Sequence, residues 1–581
     1  MTSLSSNQQE KSGFTLRAAI IGSALTLFLL MSTMYVAIKI GAAPWPIIFS
    51  VIVSGGLIKL LNAGKPINLH EINVAQAGSS LGGLVAAGIA FTIPGILFLN
   101  KTQNLHIPWP NPYLLGILTA LAGVLGVMLS VPLKYTFVDK ENLPYPAGTA
   151  GAELLKVGKM GGRQLFLIIS IGTAAGMFAL FRDVHFPAGF TLTFLTAFGV
   201  FITILPLPLA IGGGYILGPT AGFSWLGGAV IGWLVIMPVL FKTGFDFTAA
   251  KPFVQNLGMG IVLGSGVGFF ITYVIPRMKE IFLPALKTKH KTLRLLPLVV
   301  LLAVLFLILA GVPVFASIFT IVGIWMMVAV AARMTGETNI DPLEQFGIFI
   351  GLLIAIVYKL FSWELSIYAS FAIVTFVSVA CAVAGDAGHD YKSAAIIGTR
   401  FFDIVKVDLI TVIVAGLASP IVLTIFREAF ADKLFTPEMP APQALMVAGS
   451  IFGFDYPNVF ATGFILAMIA EFFNNLLPTK YRNRVLLMPL GIGLFLGPGL
   501  AIPLAAGAAL RVFIDKKYPA LYHTVLLIAA GIMGGEGIAG FSAGALTISG
   551  LSFTAASNWL LLAFSGFFLV SVIVYLRKRP D

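Results

Sequence analysis

The sequence predicts an all-α polytopic membrane protein. Of its 581 residues, 58% are hydrophobic and only 10% are charged, whereas charged residues make up about a quarter of a typical soluble domain. Apolar runs of about 20 residues recur along the whole chain, and each is long enough to cross a hydrocarbon core of about 30 Å as a helix. Such a composition leaves little room for a soluble domain.

The apolar runs predict about sixteen membrane-spanning helices, some of them broken or re-entrant. The first run, from about Thr15 to Ile40, is too long for a signal peptide and lacks a cleavage pattern. Eight spans are predicted before the basic segment 277–294, and nine candidates after it, of which one Gly-rich piece is expected to be re-entrant. The predicted segments lie near 15–38, 44–62, 74–98, 112–133, 164–181, 188–206, 224–241, 254–276, 295–311, 313–332, 346–361, 366–384, 407–426, 457–473, 485–514, 521–540 and 558–576.

The basic residues are concentrated in short loops and at both ends of the chain. A formal charge of +12 could indicate a nucleic-acid partner, but basic residues in short loops are the orientation signal of an inserted protein. We therefore expect no nucleic acid, a location in the inner (plasma) membrane and cytoplasmic termini. The predicted divisions are a cytoplasmic tail (1–14), a first transmembrane half (15–276), a basic cytoplasmic linker (277–294), a second half (295–576) and a cytoplasmic tail (577–581).

Internal similarity predicts that the two halves arose by duplication. "GGGYILGPTAGFSWLGGA" at 212–229 aligns with "GIGLFLGPGLAIPLAAGA" at 491–508, with an offset of 279. "EIN" at Glu71 pairs with "ETN" at Glu337, and "ENLPYPAGTAGAELLKVG" at 141–158 pairs more loosely with 384–400. An even number of spans in each half predicts halves of the same orientation, related by an axis along the membrane normal.

The segment "LPYPAGTAG" predicts a break in the helical chain followed by a short helix. Its two prolines block a helix through the motif, and a new helix can begin near Ala147. Irregular backbone at membrane depth survives only when it is buried in protein or lines a wet cavity. Tyr145, Gly148 and Thr149 are therefore candidates for a gate or for binding a substrate carboxylate at the helix N-terminus. The alternative is a cytoplasmic loop that carries a surface helix.

Two polar clusters at the entrances of spans are candidates for substrate binding. Glu71, Asn73 and Gln76 precede the small-residue run "AGSSLGG" in the first half, and acidic or amide groups there could hold an amine or a proton. In the second half the corresponding candidates are Glu337, Asn339 and Asp341. Helix capping without any ligand is the alternative, and it accounts well for Asp341.

Two further clusters are candidates for proton coupling. Asp386, His389 and Asp390 close a span in "AGDAGHDYK", where an imidazole beside carboxylates suits proton exchange near neutral pH. Glu536 lies between glycines in "GGEGIAG", and an isolated ionisable group among apolar runs is a functional candidate. A polar helix end in water, or a loop, is the alternative in each case.

These stretches resemble the oligopeptide transporter (OPT) family, which includes the yellow stripe-like metal-chelate transporters. "LPYPAGTAGAELLKVG", "HEINVAQAGSSLGG", "AGDAGHDYKS" and "GGEGIAG" carry the resemblance, which covers most of the chain. It implies proton-coupled import of small peptides, glutathione or peptide-like metal chelates by a sixteen-span bundle of two halves. The Asn-Pro-Gly and Lys-Ile-Pro-Pro-Arg motifs of the eukaryotic peptide clade are absent from the sequence, so the substrate of that clade is not carried over to this chain. The short loops favour a prokaryotic member.

The motifs also weigh against other classes of function. His70-Glu71 is not followed by a second histidine at the spacing of a zinc protease, and Gly385-Asp386 lacks the preceding glycine of a membrane aspartyl protease. No cofactor or metal site is predicted. The expected partners are a peptide or metal-chelate substrate, protons and the lipid bilayer, and a homodimer is left open. A channel remains the alternative from another class, because a broken helix can also line a pore.

Overall fold

The computed structural model describes residues 10–41, 43, 47–61, 68–156, 162–186, 189–279, 294–339, 341, 343–436, 438–478, 480–548, 562–570 and 572. These residues are almost entirely helical. Residues 1–9 of the predicted N-terminal tail, the whole predicted C-terminal tail (577–581), residues 573–576 of the predicted second half and most of the predicted basic linker (280–293) lie outside the described residues.

The described helices of the N-terminal part are α1 Leu16–Ile40, α2 Ile47–Leu61, α3 Leu69–Ala90, α4 Pro94–Thr102, α5 Pro112–Leu133, α6 Pro146–Lys156, α7 Gly162–His185, α8 Pro208–Leu217, α9 Pro219–Val230, α10 Met237–Lys242 and α11 Phe247–Phe269. The turns Lys134–Lys140, Ile231–Ile236 and Phe270–Val274 are π-helical extensions of these helices. Short 3₁₀ turns lie at Thr193–Phe198, Ile275–Arg277 and Pro519–Leu521.

The C-terminal part contains α12 Leu296–Leu309, α13 Val314–Thr338, α14 Leu343–Leu360, α15 Ile367–Ile397, α16 Phe401–Ala429, α17 Pro442–Phe452, α18 Pro457–Leu476, α19 Leu487–Leu496, α20 Pro498–Lys517 and α21 Tyr522–Ile548. Thirteen helical segments among the described residues are long and apolar enough to cross a membrane, and five shorter apolar helices accompany them. The fold is therefore an all-α polytopic membrane protein, as the sequence predicts.

The prediction of a span at 188–206 was wrong. The structure has strand β1 Phe190–Thr191, the 3₁₀ turn and strand β2 Thr203–Ile204, and the two strands pair antiparallel with Phe190 opposite Ile204. Gly189 and Gly199 both have φ of 71°, a left-handed conformation that interrupts a helix. Threonine, phenylalanine, isoleucine and valine make up most of the rest of the segment, and such residues favour strands over helices. The apolar segment 189–206 therefore forms an exposed hairpin and not a membrane-spanning helix.

The two halves of the chain repeat the same succession of helices. Counterpart helices have matching lengths: α1 and α13 have 25 residues each, α6 and α17 have 11 each, and α8 and α19 have 10 each. Their packing also matches. Helix α11 packs on α18, and their counterparts α21 and α7 also pack on each other; likewise α3 packs on α16, and their counterparts α15 and α5 pack on each other. The counterparts are α1 and α13, α2 and α14, α3–α4 and α15, α5 and α16, α6 and α17, α7 and α18, α8 and α19, α9–α10 and α20, and α11 and α21.

The halves are inverted relative to each other, so the prediction of equal orientation was wrong. Helices α3 and α15 are counterparts, yet they run antiparallel: Ser80 contacts Asp386 at 2.7 Å, while Thr92, later in the chain than α3, contacts Thr375, earlier in α15, at 2.8 Å. The pseudo-twofold axis therefore crosses the bundle instead of running along it. Helix α12, Leu296–Leu309, precedes the counterpart of α1 and lies between the two repeats in the chain.

The structure also changes two of the three predicted internal pairings. The counterpart of "LPYP" before α6 is "MPAP" at 439–442, before α17. In both places a residue with positive φ, Tyr145 at 39° and Ala441 at 43°, precedes the proline that begins the short helix. The Tyr145 N–H donates to Gly336 O at 2.8 Å, and the Ala441 N–H donates to Ile38 O at 2.9 Å. The predicted pairings of 141–158 with 384–400, and of Glu71 with Glu337, were therefore wrong.

The third pairing, of 212–229 with 491–508, is confirmed. Helices α8 and α9 form a helical hairpin that turns at Gly218, and α19 and α20 form another that turns at Gly497; both glycines have positive φ and both precede a proline. The two hairpins interlock, because a Cβ atom on any of four glycines would overlap a backbone carbonyl of the other hairpin. The overlapping pairs are Gly214 with Leu504, Gly493 with Trp225, Gly228 with Leu490, and Gly507 with Ile211. The offset of 279 relates these pairs to one another. Adding 279 to the number of Gly214 gives Gly493, and subtracting 279 from that of Leu504 gives Trp225; Gly228 and Leu490 are related to Gly507 and Ile211 in the same way.

Candidate functional site

A cavity of about 90 Å³ lies between the two repeats. The C-terminal ends of α1 and α13 reach it, and so do the tip of the α8–α9 hairpin and the first turns of α14, α17 and α19. Its lining residues are Gly41, Ala43, Leu84, Phe91, Leu217, Ala221, Trp225, Asn339, Asp341, Leu343, Glu344, Gln443, Met488, Pro489 and Ile492. Two of the sequence-predicted binding residues, Asn339 and Asp341, are among them.

The cavity wall carries buried polar atoms that have no hydrogen-bond partner among the described residues. They are both carboxylate oxygens of Asp341, Oε1 of Glu344, Oε1 of Gln443 and the indole Nε1 of Trp225. A buried polar atom without a partner costs about 1–3 kcal/mol. Around one cavity, Asp341, Glu344 and Gln443 thus present hydrogen-bond acceptors and Trp225 presents a donor. A polar ligand or ordered water could form hydrogen bonds with all four side chains.

The ends of the short helices hold the cavity wall in place. Asn339 ends α13 in the left-handed conformation with φ of 59°, and its Oδ1 accepts a hydrogen bond from the Ala147 N–H of α6 at 3.1 Å. At the counterpart position Gly41 ends α1 with φ of 67°, and its carbonyl accepts from Gln443 Nε2 of α17 at 2.8 Å. Each short helix is thus tied to the end of a long helix in the opposite repeat.

The N-terminus of α6 is occupied by protein groups in this conformation. The Gly148 N–H donates to His389 Nδ1 at 3.2 Å, and a Cβ atom on Gly148 would overlap the backbone of His389. The Thr149 hydroxyl donates to Pro144 O at 2.6 Å, and the buried Tyr145 hydroxyl donates to Ala332 O at 2.8 Å. None of Tyr145, Gly148 and Thr149 lines the central cavity. They pack α6 against α13 and α15.

A buried acidic cluster joins α3, α15 and α16. The Ser80 hydroxyl oxygen lies 2.7 Å from Asp386 Oδ2 and 3.0 Å from Asp390 Oδ2. Gln76 Nε2 donates to Asp390 Oδ1 at 3.2 Å. Asp386, Asp390 and Asp408 are each 0% exposed, and neither oxygen of Asp408 has a hydrogen-bond partner among the described residues.

The Ser80 hydroxyl has three acceptors within reach: Asp386 Oδ2, Asp390 Oδ2 and the Ala77 carbonyl oxygen at 3.0 Å. A serine hydroxyl has one hydrogen and therefore donates to only one acceptor. If Ser80 donates to one carboxylate, the contact with the other is a hydrogen bond only when that carboxylic acid donates to Ser80. Asp386 and Asp390 thus bind at least one proton between them when both contacts are hydrogen bonds.

Asn73 extends this network toward the end of α15. Its Nδ2 donates to the Thr399 hydroxyl at 3.1 Å, and its Oδ1 accepts from Ser393 at 2.9 Å. Asn73 and Gln76 therefore position the acidic cluster and do not line the central cavity.

Two predicted binding residues lie in ion pairs away from the cavity. Glu71 accepts from Arg17 at 2.5 Å and from the Thr15 hydroxyl at 2.6 Å, which ties the start of α3 to the start of α1. Glu337 pairs with Arg333 at 3.2 Å, one turn earlier in α13. Neither residue lines the central cavity.

Glu536 belongs to a second buried network. It pairs with Arg182 of α7, and its Oε2 accepts from the Leu209 N–H at the start of α8 at 2.8 Å. Arg182 also donates to Asp183 at 2.7 Å, and Lys39 reaches the same carboxylate at 3.3 Å. Glu536 thus connects α21 to α7 and to the α8–α9 hairpin.

Sequence reasoning missed Asp408, Trp225, Glu344 and Gln443. Asp408 carried a usable signal, because it is an ionisable residue inside the apolar run 407–426. Trp225 and Gln443 had no recognisable signal in the sequence, because their importance depends on which polar atoms the fold leaves without hydrogen-bond partners. Glu344 follows the candidate Asp341 by three residues in the sequence, but its position beside a cavity depends on the inverted packing.

Comparison with known proteins gives two matches. The family model described as "OPT oligopeptide transporter protein" matches residues 13–268 and 291–578. A protein of Haemophilus influenzae (strain ATCC 51907 / DSM 11121 / KW20 / Rd), whose name assigns it to the oligopeptide transporters, is 28% identical over 228 residues. That match covers 38% of this chain and 34% of the relative, so the chain spans about a third of the length of the curated relative that it matches.

Proposed function

Because the chain belongs to the OPT oligopeptide transporter family, we propose that it is a proton-coupled secondary transporter that imports small peptides across the cytoplasmic membrane. The observation that carries this proposal is the central cavity between two inverted repeats, with its unpartnered polar side chains. Inverted repeats around a site near the middle of the bundle are the architecture of many alternating-access carriers. A named relative and a family description support the peptide as substrate.

The chemistry of the cavity suits the amino end and the backbone of a peptide. Asp341 and Glu344 supply carboxylate oxygens that can accept from an ammonium group. The Trp225 indole N–H can donate to a peptide carbonyl, and Gln443 Oε1 can accept from a peptide N–H. Asn339, which ends α13, holds the start of α6 beside this site.

The acidic cluster supplies the proton site of the proposed mechanism. Asp386 and Asp390 both contact the Ser80 hydroxyl, and a proton held between the two carboxyl groups would allow both contacts to be hydrogen bonds. His389 lies on the same helix and accepts from the Gly148 N–H of α6. Proton loss from the pair would therefore change the charge on a helix that is hydrogen-bonded to α6.

A direct contact links the proton site with the substrate site. Asp341 Oδ2 and the Thr335 hydroxyl pack so closely on Gly385 that a Cβ atom there would overlap the Asp341 carboxylate. Gly385 precedes Asp386 in α15. An amine bound at Asp341 is thus separated from the carboxyl pair by one residue of backbone.

The orientation is also a proposal. Basic residues near both ends of the chain and in 277–294 favour cytoplasmic termini and an inner-membrane location. In that orientation protons would enter with the substrate from the non-cytoplasmic side.

Uptake by proteoliposomes tests the proposal. Purified protein is reconstituted, and entry of radiolabelled trialanine is measured with an acidic exterior, with equal pH on both sides, and with unlabelled trialanine inside. We expect accumulation only with the acidic exterior and acceleration by the internal peptide. Uptake of an iron chelate in place of peptides would assign the alternative substrate, and a leak without acceleration by internal substrate would indicate a channel.

A further inference from the structure

A larger cavity, of about 360 Å³, is lined by several of the segments that line the central one. The two cavities are lined by neighbouring residues of the same segments: Lys39 precedes Gly41 by two positions, and Leu445 follows Gln443 by two. We call the larger cavity the vestibule. Its other walls come from the β1–β2 hairpin, the start of α11, the tip of the α19–α20 hairpin, and Phe435, Thr436, Glu438 and Pro440.

The charged groups of the vestibule are mostly basic. Lys39, Arg182 and Lys251 line it, and Glu438 is the acid among its lining residues. Glu438 pairs with Lys433 at 3.1 Å. Arg182 uses its guanidinium on Asp183, on Glu536 and on a backbone carbonyl. The ammonium groups of Lys39 and Lys251 are therefore the charged groups of the vestibule that remain to bind a ligand, and they favour an anionic group.

Lys251 is a half-buried cation that forms no ion pair or hydrogen bond with another described residue. The nearest acid in the sequence, Asp246, caps α11 instead: it accepts from the Ala249 N–H at 2.9 Å and from the Thr248 hydroxyl at 2.8 Å. These hydrogen bonds lower the pKa of Asp246 and keep its carboxylate at the helix end. Lys251 thus faces the cavity with its donors available.

Lys39 also has a donor to spare. Its ammonium group donates to the Tyr35 hydroxyl at 2.8 Å and to Asp183 at 3.3 Å. An ammonium group has three hydrogens, so one remains for a ligand in the vestibule. The rest of the wall is rich in aromatic side chains, which can pack against apolar groups of a ligand: Phe186, Phe201, Trp233, Phe247, Phe435 and Phe495.

We infer that the vestibule binds the carboxylate end of the substrate through Lys251 and Lys39, while the amino end enters the central cavity at Asp341 and Glu344. This inference rests on the proposed function, and it narrows the substrate to molecules with a free carboxylate and a free amine at opposite ends. The charges of the two cavities are complementary to those of an unmodified peptide: cations line the vestibule, and carboxylate oxygens without hydrogen-bond partners among the described residues line the central cavity. A peptide with a blocked carboxylate would lose the contact in the vestibule.

Binding of two matched probes to the full-length protein tests the inference. Trialanine and trialanine amide differ only at the carboxyl end, and their dissociation constants are measured by calorimetry with wild-type protein, Lys251→Gln and the control Lys242→Gln. Lys242 does not line the vestibule. We expect amidation to weaken binding to wild type about tenfold, or about 1.4 kcal/mol. Lys251→Gln should weaken binding of trialanine about tenfold and binding of the amide less than twofold, and Lys242→Gln should change neither.

The outcomes separate this inference from the proposed function. Equal affinity of the wild type for the two probes would overturn the vestibule site while leaving peptide transport intact. An equal loss for both probes in Lys251→Gln, with an unchanged melting temperature, would show that Lys251 does not contact the carboxylate. Binding of neither probe would overturn both proposals. Binding of ferric citrate instead, lost in Lys251→Gln, would keep carboxylate recognition but refute the peptide as ligand.

Discussion

Replacing Asp390 by asparagine should separate substrate exchange from proton-driven accumulation. The asparagine would preserve the size of the side chain and its contact with Gln76, but the pair with Asp386 could no longer share an exchangeable proton. The structure predicts that the variant binds and exchanges peptide while it fails to concentrate it. Asp432→Asn, the same chemical change at an exposed site, is the control.

The expected magnitude follows from the geometry of the pair. Asp386 Oδ2 and Asp390 Oδ2 are at most about 5.7 Å apart, the sum of their distances of 2.7 Å and 3.0 Å to Ser80 Oγ. Two negative charges at that distance repel by about 3 kcal/mol at an effective dielectric constant of about 20, and burial adds several kcal/mol for each charge. We therefore expect one proton to be carried by the pair. One proton per substrate and a gradient of one pH unit allow about tenfold accumulation.

The assay compares two measurements on the same proteoliposomes. With an exterior one pH unit more acidic than the interior, wild type and Asp432→Asn should accumulate trialanine about tenfold, and Asp390→Asn about onefold. With equal pH and unlabelled peptide inside, all three should exchange the label. Tenfold accumulation by Asp390→Asn would refute the role of this pair, and loss of exchange together with accumulation would indicate a structural role.

Three further substitutions test the assignment of the other acids. Glu71→Gln should remove the ion pair with the partly exposed Arg17, lowering the free energy of unfolding by about 1 kcal/mol without changing proton-driven uptake; a loss of pH dependence at unchanged melting temperature would contradict this. Glu536→Gln should leave Arg182 buried without a full counter-charge and cost about 3–5 kcal/mol, visible as a large fall in melting temperature. Asp341→Asn should weaken binding of trialanine about tenfold but leave N-acetyl-trialanine unchanged, and an equal effect on both peptides would argue against contact with the amine.

The sequence was sufficient for the fold class because membrane insertion depends on composition over runs of about 20 residues. It was also sufficient for the glycine match between 212–229 and 491–508, because close backbone contact permits no side chain at those positions. It misled at 188–206, where apolar residues form an exposed hairpin. The sequence did not reveal the inversion of the repeats, since that depends on whether α12 precedes the second repeat or begins it.

The candidate site was only partly predictable for a similar reason. Polar residues near breaks in spans were visible, and Asn339 and Asp341 do line the central cavity. Glu71 is likewise a polar residue near a predicted span entrance, but Arg17 lies next to it in the fold and forms an ion pair with it. The difference between a paired acid and an available one depends on neighbours that are distant in the chain.

The inverted repeat itself predicts a paired effect of substitutions on stability. In α9, Gly227 has open space where a Cβ atom would lie, whereas a Cβ on the adjacent Gly228 would overlap the Leu490 carbonyl. Gly227→Ala should therefore stabilise the helix by up to about 1 kcal/mol, and Gly228→Ala should destabilise the protein by about 1–3 kcal/mol. Gly507 is the counterpart of Gly228, and a Cβ there would overlap Ile211 in the same way.

Thermal unfolding of the three variants in detergent measures these effects. Gly228→Ala and Gly507→Ala should lower the melting temperature by similar amounts, although they lie in different halves of the chain, while Gly227→Ala should not lower it. A neutral Gly507→Ala beside a damaging Gly228→Ala would mean that the two hairpins do not interlock symmetrically. Because residues of both hairpins line the central cavity, such a result would also mean that the two sides of the cavity wall are not equivalent.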